Sequence, residues 1–220
     1  MTPTPHPTAF LARIRLNPRN RAVARDLRDA TQMHRTLMRL VPDDLGDSPR
    51  LRSGLLYRIE TTPDTTTVLL QATAPLDDKA LPAEYGHIEI KDLSTMFAAL
   101  RPDLAVRYRI TVNPSRRERL PLEQKNQRGK VIPLSGPDAD QWWTRRAEEA
   151  GLRLKTLLPI PVESARRRGN PTTPLRHNLI RYDGTATVAE PLALTNALLT
   201  GIGRGKPYGA GLLTLAPAAT

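Results

Sequence analysis

The chain has 220 residues, enough for one large domain or two small ones, and either can bury a core. Lys and Arg number 33 against 22 Asp and Glu, a formal charge of +11 that favours a polyanionic partner over acidic small substrates. There is no cysteine, which excludes disulfides and thiolate metal sites and fits a reducing cytosol.

After a Pro-rich start, residues 9–16 alternate apolar and basic side chains and read as a strand. Asn17-Pro18 marks a turn. From 20 to 41 the pattern becomes helical: Val23, Leu27, Ala30, Met33, Leu37 and Leu40 recur every three or four residues, with Arg21, Arg25, Arg28, Arg35 and Arg39 on the opposite side. Pro42 ends that helix and 43–50 is a loop. Strand patterns follow at 54–60, 66–73 and 86–90, then a short helix at 93–100 and a strand at 105–112. The order strand, helix, strand, strand, helix, strand is the split βαβ, or ferredoxin-like, arrangement.

Residues 113–133 form a basic, turn-rich connection, and a second unit is expected to begin there with a weak strand at 130–134. A helix at 138–150 carries Trp142 and Trp143, and 152–162 is a strand broken by prolines. Arg166, Arg167 and Arg168 lie in a basic hairpin tip or loop at 163–174. Segments 175–181 and 185–189 are joined by Asp183-Gly184, a hairpin signal. A helix at 191–200, a glycine-rich loop and a final strand complete the chain. The fold expected is α+β, two tandem ferredoxin-like (RRM-like) βαββαβ domains over 1–114 and 115–220.

The loop from 201 sets Gly201, Gly203, Gly205, Gly209 and Gly211 around Arg204 and Lys206. Glycine tolerates positive φ and lets successive N–H groups turn towards an anion, so both phosphate contact and a purely structural turn are open readings. The order helix, loop, strand is the reverse of a dinucleotide fingerprint, and no Ser or Thr follows Lys206 as a P-loop requires. His6, His34, His87 and His177 show no ligand spacing, so no metal or other cofactor is expected. No apolar run approaches a bilayer span of roughly 20 residues, and the reading is a soluble cytoplasmic protein without membrane partners. With two Phe, five Tyr and two Trp, a base-stacking sheet is poorly supplied, and arginine contacts to backbone and groove are favoured.

His34 falls within the apolar arc of the first helix. It reads either as a packed core residue or as a proton-transfer group with a pKa near neutrality. RNA suits the second role, because the ribose 2′-OH is a nucleophile already placed beside the phosphate. The protein then has only to move protons and stabilise charge.

The segment Asp29-Ala30-Thr31-Gln32-Met33-His34-Arg35-Thr36-Leu37 resembles the first-helix motif of the CasE family, the CRISPR repeat endoribonucleases of type I-E systems. Residues 201–217 resemble that family's glycine-rich signature, with supporting similarity at 14–27 and 107–114. The resemblance implies a tandem ferredoxin-like protein that binds the repeat hairpin, cuts at the 3′ base of the stem and keeps the guide RNA within a multi-subunit effector complex. It implies His34 as general acid or base, and RNA contact by Arg35, Arg39, Arg166, Arg167, Arg168, Arg204 and Lys206. It also implies a catalytic hydroxyl at position 31, where the family usually has tyrosine and this chain has Thr31. A threonine hydroxyl is shorter and less acidic than a phenol. Three explanations are open: His34 and an arginine suffice, Tyr208 supplies a hydroxyl, or cleavage is slow. A hairpin-binding subunit without catalysis is the alternative function.

Overall fold

The computed structural model describes residues 7–119, 129–162 and 178–218. The first strand, β1 (Phe10–Leu16), buries Ala12, Ile14 and Leu16 on one face and turns Arg13 and Arg15 outward, as alternation requires. The chain then forms α1 (Arg21–Arg28) and α2 (Ala30–Met38) in place of the single helix expected over 20–41. The break is at Asp29, whose backbone is extended (φ −140°, ψ 105°) and whose carboxylate accepts from the Thr31 N–H at 2.8 Å. An aspartate that caps a new helix competes with continuation of the old one. Val23 of α1 and Met33 and Leu37 of α2 are buried in the first core, whereas Leu27, expected on the same apolar face, is exposed next to the break. Buried Asp26 ties the pair together, accepting from Thr36 Oγ1 at 2.6 Å, Arg25 Nε at 2.8 Å and Tyr85 Oη at 2.9 Å.

A short helix, α3 (Pro49–Arg52), leads into β2 (Leu56–Thr61), β3 (Thr66–Ala72) and β4 (Gly86–Asp92). These strands form an antiparallel sheet in the order β2-β3-β1-β4, with Ile14 opposite both Val68 and Ile88. The connection from β3 to β4 holds only a 3₁₀ turn at Asp78–Ala80, and Leu76 and Leu81 pack on the first core. The short helix α4 (Ser94–Ala98) comes after β4 and packs Phe97 and Met96 on the second core.

The next strand, β5 (Ala105–Val112), corrects an expectation. It was expected to close the first unit, but it lies in the second sheet, paired with β10 (Ile180–Val188) and β11 (Leu213–Pro217). Its inward residues Val106, Tyr108, Ile110 and Val112 pack with Trp143 and Tyr182, and alternation alone names no partner strand. The expected first strand of the second unit is instead β7 (Val131–Pro133), which pairs with β6 (Ser115–Arg117) in a separate two-stranded ribbon. Helix α5 (Gly136–Glu149), strands β8 (Leu152–Leu154) and β9 (Leu158–Pro161), and helix α6 (Pro191–Thr200) complete the second unit. Its sheet runs β11-β5-β10-β8, with β9 also on β10. Counted within each unit, both sheets have the order 4-1-3-2, and the fold is two ferredoxin-like units in tandem.

The Asp183-Gly184 hairpin is also corrected, since both residues lie inside the continuous strand β10. A Cβ on Gly184 would stand 2.2 Å from the Thr156 carbonyl oxygen and 2.7 Å from Tyr108 Oη. Glycine serves close approach here rather than a turn. Trp143, fully buried, fills the second core between Tyr108 and Tyr182, at ring separations of 5.7 and 5.9 Å.

Candidate functional site

The site forms where α2 meets the loop between α6 and β11. His34 lies on the half-buried flank of α2, one turn after the half-buried Thr31, while Arg35 and Arg39 are exposed. Nδ1 of His34 is enclosed and has no hydrogen-bond partner among the described residues. Burial first, and the positive charge of Arg50 second, hold the imidazole below its ordinary pKa, so at neutral pH it is uncharged.

The loop's five glycines all adopt positive φ, from 74° at Gly201 to 92° at Gly211. Side chains are also excluded by space: a Cβ on Gly201 would lie 2.6 Å from Leu56 Cδ2, and one on Gly203 would lie 2.9 Å from the Trp142 ring. The loop's middle, Lys206–Tyr208, is a 3₁₀ turn seated against α2 and β2. Tyr57 of β2 donates its hydroxyl to the Pro207 carbonyl at 2.9 Å, and the Gly211 N–H donates to Thr111 O at 2.7 Å. The two open readings of the loop therefore separate by residue. The N–H groups of Ile202, Tyr208, Ala210 and Gly211 are used within the fold, whereas those of Gly203, Arg204, Gly205 and Lys206 have no acceptor among the described residues.

Lys206 Nζ donates to the Thr200 carbonyl at 2.6 Å, and burial, then Arg50, lowers its pKa. Arg50, half-buried on α3, thus acts on both His34 and Lys206. The expected loop over 43–50 is here a short helix from Pro49 on. The signal was present in Ser48-Pro49-Arg50, a capping residue followed by proline at the first helical position. Arg204 is exposed at the loop's rim, and Tyr208 is half-buried beside Tyr57. The structure thus brings His34 and Lys206 together with Arg50, and places Thr31, Arg35 and Arg39 on the same helix. Arg166, Arg167 and Arg168 lie outside the described residues.

Two ferredoxin-like units meeting at a neutral histidine, beside cations with no carboxylate partner among the described residues, define a tandem ferredoxin-like protein with a cation-lined site. A family model described as CRISPR associated protein matches residues 9–217, and the chain belongs to the CasE family of these proteins. The CRISPR-associated endoribonuclease Cse3 of Thermus thermophilus is 29% identical over 222 residues, covering 94% of this chain and 100% of its own length. A structure of Thermus thermophilus Cse3 bound to an RNA representing a pre-cleavage complex superposes with a TM-score of 0.76 at 28% identity, covering 96% of this chain and 100% of that one. A subunit of a CRISPR RNA-guided surveillance complex in a pre-nicking state is 34% identical with a TM-score of 0.69, covering 95% of this chain and 100% of its own. Among the described residues, no helix is long and apolar enough to cross a membrane.

Proposed function

We propose that this chain is a metal-independent endoribonuclease that binds the stem-loop of CRISPR repeat RNA, cuts at the 3′ base of the stem and retains the guide RNA in a cytoplasmic effector complex. The observation that carries the reading is His34, half-buried and held neutral beside cations that lack acidic partners among the described residues. A neutral imidazole takes the proton of the 2′-OH as O2′ attacks phosphorus. Positive groups and free loop N–H groups stabilise the charge gathering on the non-bridging oxygens. The P–O5′ bond then breaks, and the leaving oxygen takes a proton. The upstream fragment ends in a 2′,3′-cyclic phosphate or, after hydrolysis, a 3′-phosphate, and the downstream fragment begins with a 5′-hydroxyl.

Arg35, Arg39, Arg204 and Lys206 are assigned to the RNA backbone, and Arg166, Arg167 and Arg168 to the stem. Binding of RNA by the Thermus relative and membership of the other relative in a surveillance complex support these partners. The second reading, a hairpin-holding subunit without catalysis, is favoured by one residue, Thr31, where a phenol is expected.

Cleavage of a labelled repeat hairpin in EDTA tests both readings. The expected result is a cut at the stem base at the same rate with and without chelator. Activity lost in EDTA and restored by magnesium would overturn the histidine-centred mechanism. Binding without cutting by the natural protein, with cutting gained in Thr31→Tyr, would establish the second reading.

A further inference from the structure

The short helix α3 holds its place through its backbone rather than its side chains. Ser53 Oγ donates to the Arg50 carbonyl at 3.1 Å, Leu55 N–H to the same oxygen at 3.2 Å, and Ser53 N–H to Pro49 O at 2.8 Å. Ser53 is itself buried, and its carbonyl receives the Thr73 N–H of the neighbouring strand end at 2.7 Å. Arg50 is therefore presented from a fixed base, yet its guanidinium has no ion pair or hydrogen bond among the described residues. Other inward-leaning arginines are engaged: Arg58 with Glu60, and Arg109 with both Glu60 and Asp183. Helix α3 runs straight into β2, whose first residue Leu56 lies against Gly201 of the glycine loop, and the loop's Lys206–Tyr208 turn sits against both α2 and β2. Arg50, Lys206 and His34 are thus gathered from three elements with no carboxylate paired to any of them among the described residues. Half-buried cations without counter-ions cost free energy, and a bound anion removes that cost.

We propose that Arg50 is a further residue of the cleavage site, its guanidinium contacting the scissile phosphodiester from the α3 side while Lys206 approaches from the glycine loop. The inference rests on the endoribonuclease reading. A planar guanidinium spans two phosphate oxygens, and its contacts strengthen as charge gathers on them. Around His34 the charged and titratable groups are Arg50 on α3, Lys206 and Tyr208 on the loop, and Arg35 on α2. Of these, Arg50 is the one whose positive charge lowers the imidazole pKa, second to burial.

Arg50→Gln and Arg50→Lys, each made in the full chain, test this in single-turnover cleavage of the repeat hairpin in EDTA. Binding is measured with the same hairpin carrying a 2′-deoxy nucleotide at the cut site. Arg50→Gln is expected to slow cleavage roughly 100-fold, the usual cost of one transition-state donor, while binding changes only a few-fold. The acid limb of its pH–rate profile should move to higher pH, because removing a nearby cation raises the histidine pKa. Arg50→Lys should keep the limb near its natural position. A merely structural Arg50 would shift the melting temperature and leave the limb in place. Natural cleavage rate and an unmoved limb in Arg50→Gln, with His34→Ala inactive, would overturn this inference alone. A natural protein that binds the hairpin and does not cut it would overturn the endoribonuclease reading and this inference with it.

Discussion

Replacing His34 with alanine is expected to leave hairpin binding within a few-fold of the natural protein while cleavage falls by roughly 1,000-fold, the middle of the range for losing a general acid or base. The split between binding and cutting follows from the site. The imidazole is neutral at pH 7, so it contributes no charge to a phosphate contact, and the surrounding arginines and Lys206 remain. Its Nδ1 is enclosed without a partner, so truncation breaks no hydrogen bond of the described fold. A second consequence concerns stability. A histidine whose pKa is lower folded than unfolded carries no penalty above its unfolded value of about 6.5. The penalty sets in as pH falls below that value and is complete below the folded pKa. His34→Ala should therefore lose part of the acid sensitivity of unfolding, seen as melting curves that converge or cross below pH ~6. Gel-resolved cleavage at comparable rates in the two proteins would remove His34 from the chemistry.

What the sequence reveals here is what one element decides for itself. Alternation in residues 9–16 places Ile14 in the core and Arg13 outside, and the five glycines mark backbone that only glycine adopts comfortably. The arc around His34 is equally local, and it gives a half-buried ring. Choices made between elements are hidden. The pattern Val106, Tyr108, Ile110, Val112 fits either sheet, and the decision rests on packing with Trp143 and Tyr182 from distant sequence. Gly184 looks like a turn because the chain that approaches it, at Thr156, is nearly thirty residues away. Arg50 looks like a loop residue for the same reason: its neighbours His34 and Lys206 come from other parts of the chain. The site's motif residues are legible, whereas the charge that surrounds them arises only from assembly.

Arg58 is the strongest case of this kind, and Arg58→Ala is expected to destabilise the protein by about 3–5 kcal/mol, lowering the melting temperature by roughly 10 °C. On β2 the residue points to the face opposite the buried Tyr57, yet it is only 3% exposed because the second unit covers that face. Its Nη1 donates to the carbonyls of Arg109 at 3.2 Å and Leu212 at 3.3 Å, and its Nε donates to Glu60 at 2.8 Å. Glu60 in turn accepts from Arg109, which forks onto Asp183 at 2.8 and 2.9 Å. Truncation takes a donor from the Leu212 carbonyl, from the Arg109 carbonyl, which keeps Thr214 Oγ1 at 3.3 Å, and from the half-buried Glu60 carboxylate, which is the costly way to break such a network. Burial by itself would raise the Glu60 pKa, but Arg58 and Arg109 together hold it below the ordinary value. That stabilisation is present above the unfolded carboxylate pKa and is lost as pH falls through the folded one. The gap between natural and Arg58→Ala melting temperatures should therefore narrow below pH ~4. Because the neighbouring Tyr57 holds Pro207 of the glycine loop, loosening this joint also lets the loop shift against α2, and cleavage should fall at temperatures where the variant is still folded. A loss under about 1 kcal/mol, unchanged by acid, would mean that the two sheets are joined by their apolar contacts and the Gln71–Leu198 hydrogen bond, without need of the buried guanidinium.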